Sequence, residues 1–427
     1  MSALFLPFKE IMIYLDNAST SFPKAPGVAE YVKNFIETSC FNVNRASYGA
    51  ALHAEETVFD TRELLAEFFG AKDGRNVVFT GGVTQAINTA VFGLIKSGDG
   101  VVTSVMEHNA VLRPLSSLAA SGAAVDYINC DGGVMNLADA EEKISRRPKA
   151  VVLTHASNVC GSVNPISEIG RMCRENGALF IVDCAQTGGV IDIDVVRDNI
   201  DALCFAGHKG LMALQGIGGM VLSERAARLM KPLIHGGTGS FSHLTSMPDV
   251  LPDKFEAGTL NLPGIASLNA SLAFLKARGI DNIRRHENAL RAAFEDALKG
   301  MDGIRLAGTA NPERCAVTSV DFVNIDNGEA AYILDSRYDI KVRSGLHCAP
   351  LAHKALGTFP RGTVRFSFGF FNTADDVAAA VTAIKAMTSA CRRQKRSLSG
   401  AFFYLLFFNA SPAPTPAPFQ RKPPRRD

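Results

Sequence analysis

Tryptophan is absent from this 427-residue sequence, and its nine cysteines include no C-x-x-C pair. The number of cysteines is odd, and Met1–Glu10 has a short apolar stretch without the charged start of a secretory signal. These absences disfavour a disulfide framework and a paired-thiol redox site. They favour free thiols in a reducing compartment, so we expect a cytoplasmic protein in which most cysteines act as small buried hydrophobic residues.

An excess of charge of one sign is also absent. The chain has 44 Lys and Arg against 42 Asp and Glu, a net charge of +2, so we expect no nucleic-acid partner and no membrane attachment of the folded part. From Arg392 a basic run leads into the apolar patch 401–408 and a Pro-rich basic end. The patch is far shorter than the ~20 residues of a spanning helix. We expect residues 392–427 to form a disordered tail, and a weak contact with a membrane surface remains open.

Short apolar runs alternate with segments of helical period over the first two thirds of the chain. Runs without polar alternation, separated by helices, predict a mainly parallel sheet covered on both faces. The seven runs that we interpret as strands of this sheet are residues 76–80, 100–105, 123–128, 150–155, 178–183, 202–205 and 219–222. The sequence therefore predicts an α/β fold in which the strand C-termini share the edge where ligands bind.

After about Leu268 the pattern changes to that of a smaller α+β domain. We predict one long helix through Lys276, Arg285 and Lys299. The other predicted elements are a strand at 315–322, a helix at 328–338, a turn at 342–345, a strand at 362–368 and the start of the last helix at 374. The predicted division is an N-terminal segment 1–25 that packs with the small domain, a large domain 26–270 and a small domain 271–391.

Three candidate functional residues follow the ends of predicted strands: His108, Asp183 and Lys209. Taken singly, Asp183 is equally well explained as a helix N-cap and Lys209 as a solvated loop lysine. Together they offer an amine for a Schiff base and a carboxylate for a protonated pyridine nitrogen, which is what pyridoxal 5'-phosphate requires. The imidazole of His108 is suited to stack on the cofactor ring.

Gly81-Gly82-Val83-Thr84 lies between a predicted strand and a predicted helix. Backbone N–H groups at such a helix start, with the hydroxyl of Thr84, form a cradle for phosphate. The alternative is simply a tight turn from strand to helix. The segment matches neither the G-x-G-x-x-G nor the Walker pattern, which disfavours dinucleotides and nucleoside triphosphates.

From Tyr14 to about Met387 the sequence resembles the class V aminotransferase group of fold-type I pyridoxal-phosphate enzymes, and within it the cysteine desulfurases. The matching segments are 14–20, 107–110, 157–161, 182–186, 207–209, 255–259 and 343–349. The resemblance implies a large domain with a seven-stranded sheet and a smaller C-terminal α+β domain.

The resemblance also implies roles for individual residues around the cofactor. Lys209 is the expected Schiff-base lysine and proton carrier, Asp183 the partner of the ring nitrogen, and Gln186 the donor to the phenolic oxygen. His108 is expected to stack on the ring as part of the catalytic set. The residues expected to bind the phosphate are Val83, Thr84, His208 and, from a second subunit, Thr259. A homodimer is therefore implied.

The substrate side follows from the same resemblance. Arg365 is expected to clamp the carboxylate of L-cysteine or a related amino acid, Asn158 to lie between substrate and cofactor, and Arg343 to line the substrate site. Three positions depart from the family's usual pattern: Ala206 replaces a Ser or Thr, the segment 212–215 replaces a Gly-Pro step, and Tyr48 falls near a usual His.

Cys348 decides which reaction is expected. An inert cysteine in a packed turn is the simplest interpretation of the residue alone, and a zinc site with His347 and His353 lacks a clear fourth ligand. The Arg-x-Gly-x-His-Cys-Ala form of 343–349 resembles the Suf-like desulfurases, in which this thiol takes the substrate sulfur as a persulfide and passes it to a protein acceptor, as in iron–sulfur cluster assembly. Selenocysteine lyase, cysteine sulfinate lyase, transaminase and a non-catalytic partner protein remain alternatives.

Overall fold

The computed structural model describes residues 12–43 and 48–398. Its strands are β1 (Ile13–Tyr14), β2 (Val77–Thr80), β3 (Gly100–Ser104), β4 (Ala124–Ile128), β5 (Cys130–Asp131), β6 (Val134–Met135), β7 (Ala150–Thr154), β8 (Leu179–Asp183), β9 (Ala202–Ala206), β10 (Gly218–Leu222), β11 (Ile304–Ala307), β12 (Val317–Phe322), β13 (Ile340–Lys341), β14 (Arg343–Gly345) and β15 (Thr363–Ser367). Its helices are α1 (Val28–Thr38), α2 (Gly49–Phe68), α3 (Val83–Leu94), α4 (Asn109–Ala120), α5 (Leu137–Ser145), α6 (Ile166–Asn176), α7 (Glu224–Leu229), α8 (Leu262–Arg278), α9 (Ile280–Leu298), α10 (Asn327–Tyr338), α11 (Pro350–Ala355) and α12 (Ala374–Leu398).

Seven strands form the main sheet in the order β2-β10-β9-β8-β7-β3-β4. Strands β9, β8, β7, β3 and β4 are parallel, whereas β10 pairs antiparallel with both β9 and β2. Every residue of β7, β8, β9 and β10 is buried, as expected of strands that helices cover on both faces. The predicted α/β fold with a mainly parallel seven-stranded sheet is confirmed.

Alternate residues of these strands fill two hydrophobic cores, one on each face of the sheet. Phe180 and Val182 of β8 pack with apolar residues of α1, α2 and α8, whereas Leu179 and Ile181 pack with residues of α3 and α4. Each such fully buried side chain contributes roughly 1.5–3 kcal/mol. Because both cores anchor the same strands, the ends of those strands are fixed relative to one another.

A second sheet, in the order β11-β12-β15-β14, is antiparallel throughout and packs with α9, α10 and α12. Strand β1 pairs in parallel with β13, and Asp16 forms a bridge with Ser367 at the end of β15. The N-terminal residues then cross to the large sheet, where the N–H of Ser21 donates to the carbonyl of His208 at 2.9 Å. The segment after β1 therefore connects the two sheets.

Two predictions for the C-terminal third are wrong. The single long helix through Lys276 and Lys299 is two helices, because Gly279 takes φ of 77° and ψ of 128° between α8 and α9. The turn predicted at 342–345 includes strand β14, which pairs antiparallel with β15. Arg343 consequently lies directly across from Arg365.

The last helix, α12, begins at Ala374 as predicted but continues to Leu398, into the segment expected to be disordered. Residues 399–427 of that tail and residues 1–11 of the N-terminal segment lie outside the described residues. None of the helices in the described part of the chain combines the length and the apolar character needed to cross a membrane. The domain limits at 26, 270 and 391 stay a prediction.

Candidate active site

The chemically interesting side chains follow the C-terminal ends of neighbouring parallel strands. Asp183 is the last residue of β8, and Lys209 lies three positions after the end of β9. His108 follows β3, and Asn158 follows β7. Since parallel strands end at one edge of the sheet, the fold brings all four together. Burial raises the pKa of Asp183 and lowers that of His108, and the charge of Lys209 acts on both groups, which agrees with this grouping.

Lys209 is half-buried on a tight turn after β9. The turn requires glycine at position 210, because a Cβ atom there would lie 2.5 Å from the carbonyl oxygen of Gly188. Burial lowers the pKa of the amine to about 8, and Asp183 opposes this shift. A minor fraction of the amine, far larger than for an ordinary lysine, is therefore uncharged near neutral pH and able to attack a carbonyl.

Asp183 is a buried carboxylate that accepts the N–H of Ala185 at 2.9 Å. Burial raises its pKa, whereas the N–H of Ala185 and the charge of Lys209 lower it. A buried carboxylate is stabilised by a cationic partner, and a protonated pyridine nitrogen meets that need. The residue thus fits the role that the sequence predicts for it.

The start of α3 opens onto a cleft of about 500 Å³. Gly82 precedes the helix with φ of 144°, and Val83 and Thr84 form its first turn. The other side of the cleft includes His208 and Gln215, and Nδ1 of His208 is buried without a hydrogen-bond partner. Helix-terminal N–H groups, a hydroxyl and an open imidazole nitrogen form a donor set that suits phosphate.

His108 is the N-cap of α4, and its Nδ1 accepts the N–H of Ala110 at 3.0 Å. Burial, followed by the charge of Lys209, lowers its pKa to about 4. The ring is therefore neutral and carries its proton on Nε2. Gln186 lines the same cavity as Lys209, and its amide donates to the carbonyl of Ala18 at 3.0 Å.

Arg365 donates a hydrogen bond to the backbone of Asn158, and each of the two side chains keeps one buried polar atom without a partner. The buried guanidinium of Arg365 donates from Nη1 to the carbonyl of Asn158 at 3.0 Å, and from Nη2 to Asp16 at 2.8 Å and Ser19 at 2.7 Å. Nδ2 of Asn158 donates to the carbonyl of His347 at 2.7 Å. Nε of Arg365 and Oδ1 of Asn158 are buried without partners, which leaves a donor and an acceptor for a bound molecule.

Cys348 lies on a left-handed turn. His347 and Cys348 have φ of 48° and 57°, a conformation that non-glycine residues rarely adopt and that costs free energy. The turn is held by Asn158 and by the N–H of Asn109, which donates to the carbonyl of Cys348 at 2.7 Å. The thiol is partly exposed, and Nη2 of Arg343 lies 3.6 Å from its sulfur. A strained, partly exposed thiol beside a guanidinium is suited to act as a nucleophile.

Two expectations concern residues away from this cluster. His347 and His353 pack with ring centroids 5.5 Å apart, but among the residues described no group of three or more His, Cys, Asp or Glu side chains is arranged to hold a metal ion. Thr259 is exposed and lines a separate small cleft with Asn42 and Glu256. Within one chain it does not join the cluster around Lys209.

The positions that depart from the family's pattern are accommodated without visible disruption. Ala206 is buried at the end of β9 and pairs with Gly218, so its side chain offers no donor to a phosphate. Met212 is buried with φ of 54°. Tyr48 is 52% exposed and caps α2, next to residues 44–47, which the structure does not describe.

Sequence reasoning gave no role to three polar residues that the fold brings to the site. Asp16 and Ser19 bond Arg365, and buried Glu107 accepts the hydroxyl of Ser104 at 2.5 Å and the N–H of Thr154 at 2.7 Å. Burial raises the pKa of Glu107 to about 8. All three lie within segments that match the family, and that match was the feature of the sequence that could have pointed to them.

Taken together, the residues fit pyridoxal phosphate. The buried carboxylate of Asp183, the amine of Lys209, the donor-lined cleft at α3 and the unpaired atoms of His208, Asn158 and Arg365 match its ring, aldehyde and phosphate groups and an amino-acid carboxylate. Within the described cluster, Asp16 is the one residue whose ion pair already engages a member of this set, because it pairs with Arg365. The fold and the site define a fold-type I pyridoxal-phosphate enzyme.

The chain belongs to the class-V aminotransferase family, whose model matches residues 13–379. It is 34% identical over 379 residues to a probable cysteine desulfurase of Methanothermobacter thermautotrophicus, covering 87% of this chain and 94% of that one. A probable cysteine desulfurase of Pyrococcus abyssi is 33% identical, with 87% and 93% covered. The solved cysteine desulfurase of Thermococcus onnurineus has a TM-score of 0.83 and 30% identity, covering 91% of this chain and 100% of that one. Enzymes of this family use pyridoxal phosphate.

Proposed function

We propose that this protein is a cysteine desulfurase that converts L-cysteine to L-alanine and holds the sulfur as a persulfide on Cys348. The observation that carries the proposal is the contact of Arg343 with the sulfur of Cys348, while the charge of Arg343 also acts on the pKa of Lys209. Both Lys209 and Arg343 lower the pKa of His108, so the ring of His108 lies near both charges. A transaminase has no use for a thiol in this position.

Proton transfer falls to Lys209. Bound pyridoxal phosphate supplies an electron sink for the electron pair released when the Cα–H bond of the substrate breaks. Asp183 keeps a proton on the ring nitrogen, which makes that sink effective. The uncharged amine of Lys209 takes the α-proton, while Arg365 holds the substrate carboxylate through its free Nε–H.

Sulfur transfer falls to Cys348. Its thiolate attacks the substrate sulfur, so an S–S bond forms, the C–S bond breaks, and the bonding electron pair stays with the three-carbon fragment. Arg343 stabilises the negative charge on the attacking sulfur. The fragment takes up two protons and leaves as alanine: Lys209 returns the one it took from Cα, and Cβ receives, through solvent, the one that Cys348 lost on becoming a thiolate. The persulfide on Cys348 then passes to a protein acceptor.

The test compares alanine and sulfide release from L-cysteine, selenide release from selenocysteine and sulfite release from cysteine sulfinate. We expect L-cysteine turnover that Cys348→Ser abolishes and Cys40→Ser leaves unchanged, because Cys40 is an exposed cysteine outside the site. Unchanged turnover in Cys348→Ser would favour a transaminase or a lyase that works without the thiol. No turnover of any substrate by protein with bound cofactor would favour a non-catalytic partner.

The proposal also covers assembly and setting: the protein is a homodimer of the Suf-like group, and it works in the cytoplasm in iron–sulfur cluster assembly. A dimer is supported by the exposed apolar side chains of Ile36 on α1 and of Leu52 and Phe59 on α2 (54%, 50% and 61% exposed), and by the separate position of Thr259. The sequence of 343–349 supports the Suf-like group. Light scattering tests the dimer: a monomeric mass at working concentration would contradict it.

A further inference from the structure

The hydroxyl group of Ser19 contacts three charged side chains, of which Arg365 is buried and Asp16 and Arg343 are partly exposed. It donates to Oδ1 of Asp16 at 2.8 Å. Because a carboxylate only accepts hydrogen bonds, the single hydroxyl proton of Ser19 is committed to Asp16. Both lone pairs of the oxygen are then available to donors on its other side.

Two guanidinium groups use those lone pairs. Arg365 donates from Nη2 to Ser19 Oγ at 2.7 Å, and Arg343 donates from Nη1 to the same atom at 3.4 Å. The two arginines are direct cross-strand neighbours on β14 and β15. Like charges in such a pair repel, and the charge of Arg343 adds to burial in lowering the pKa of Arg365. Ser19 therefore bridges two cations that would otherwise move apart.

The bridge has a consequence for Cys348. Arg343 contacts Ser19 with Nη1 and the sulfur of Cys348 with Nη2, 3.6 Å away. A guanidinium is planar and rigid, so holding one terminal nitrogen restricts where the other points. Ser19 in turn is fixed by Asp16, whose backbone is tied to Ser367.

We propose that Ser19 is a positioning residue for sulfur transfer. Its hydroxyl holds Arg343 against the thiol of Cys348 and, at the same time, orients Arg365 toward the substrate carboxylate. One side chain of the N-terminal segment thereby links the group that binds the substrate to the group that attacks it. The inference rests on the proposed desulfurase function but is tested without turnover.

The test uses Ser19→Ala and Ser19→Thr, with Ser271→Ala as the matched control, since Ser271 is a buried serine whose hydroxyl bonds the carbonyl of Leu268 in α8. The holoenzyme is treated with iodoacetamide, and the alkylation rate of the peptide that contains Cys348 is followed by mass spectrometry. We expect Ser19→Ala to lower this rate roughly 3- to 10-fold, the effect of one hydrogen bond of ordinary strength, because the contact of Arg343 with Ser19 is long at 3.4 Å. Ser19→Thr should restore it, and Ser271→Ala should match the wild type.

A wild-type alkylation rate in Ser19→Ala overturns the proposal. A loss that Ser19→Thr does not restore, or that Ser271→Ala shares, overturns it as well, because the effect then comes from packing. In a second measurement, Ser19→Ala should raise KM for L-cysteine roughly 3- to 10-fold through Arg365. If the wild type releases no sulfide from L-cysteine, the proposed function fails, while the alkylation rates still decide the role of Ser19.

Discussion

Lys209 and Asp183 act on each other's protonation across the end of the large sheet: the charge of Asp183 raises the pKa of Lys209, and the charge of Lys209 lowers the pKa of Asp183. Burial works against both charges. The attraction between the two groups therefore does not fully offset the cost of burying their charges. A cofactor that reacts with the amine of Lys209 and places a protonated nitrogen beside the carboxylate of Asp183 satisfies both groups.

The first prediction concerns Asp183. Replacing it with Asn removes the charge that keeps the ring nitrogen protonated, so kcat for alanine formation should fall at least about 10²-fold, as when other preorganised electrostatic groups are removed. Bound cofactor, measured after its covalent reduction onto Lys209, should stay near one per chain. Asp192→Asn, which alters an exposed ion pair with Arg197, is the control. Turnover close to wild type in Asp183→Asn would refute the assigned role.

The second prediction concerns Glu256, a charged residue that stabilises the fold and takes no part in the reaction. Glu256 lies in a segment that matches the family, and its carboxylate pairs with Arg62 at 2.5 Å and accepts the N–H of Phe79 at 2.6 Å, all buried. Glu256→Gln leaves the guanidinium of Arg62 without its charge partner and should lower the free energy of unfolding by about 3–5 kcal/mol. Glu67→Gln, which breaks an exposed pair with Lys276, should cost at most about 1 kcal/mol. Denaturant unfolding measures both, and equal effects would contradict the argument.

The third prediction concerns Glu287, a carboxyl group on the buried face of α9 that lines the cavity beside Lys209. Burial raises its pKa to about 8 from an ordinary 4.5, partly offset by the N–H of Phe370. Between these two values the folded state binds more protons than the unfolded state, so this group lowers stability as pH rises through that window.

Glu287→Gln removes that penalty. The variant should therefore gain stability over the wild type as pH rises, by on the order of a few kcal/mol at about pH 8.5, with little gain near pH 4.5. Unfolding midpoints across this range measure the effect, and Glu141→Gln, at an exposed position of α5, is the control. A constant difference between variant and wild type across the range would show that Glu287 titrates as an ordinary carboxyl group.

The sequence predicted most of the fold because its signals are local. Buried strands such as β8 are continuous apolar runs, and Asp183 and Lys209 were found because they follow such runs. The break at Gly279 escaped notice because a single glycine between two helical segments looks the same whether the helix continues or stops. Asp16 and Ser19 received no role because their partner Arg365 is 349 and 346 positions away, and only the folded chain shows that contact.

The measurement that tests the central claim most directly is the mass of the peptide that contains Cys348 after the holoenzyme reacts once with L-cysteine, without acceptor or reductant. We expect this peptide to gain one sulfur atom while one alanine is released per active site, and the peptides that contain the other cysteines to stay unchanged. Alanine release without added sulfur on Cys348, or sulfur on a different cysteine, would contradict the claim.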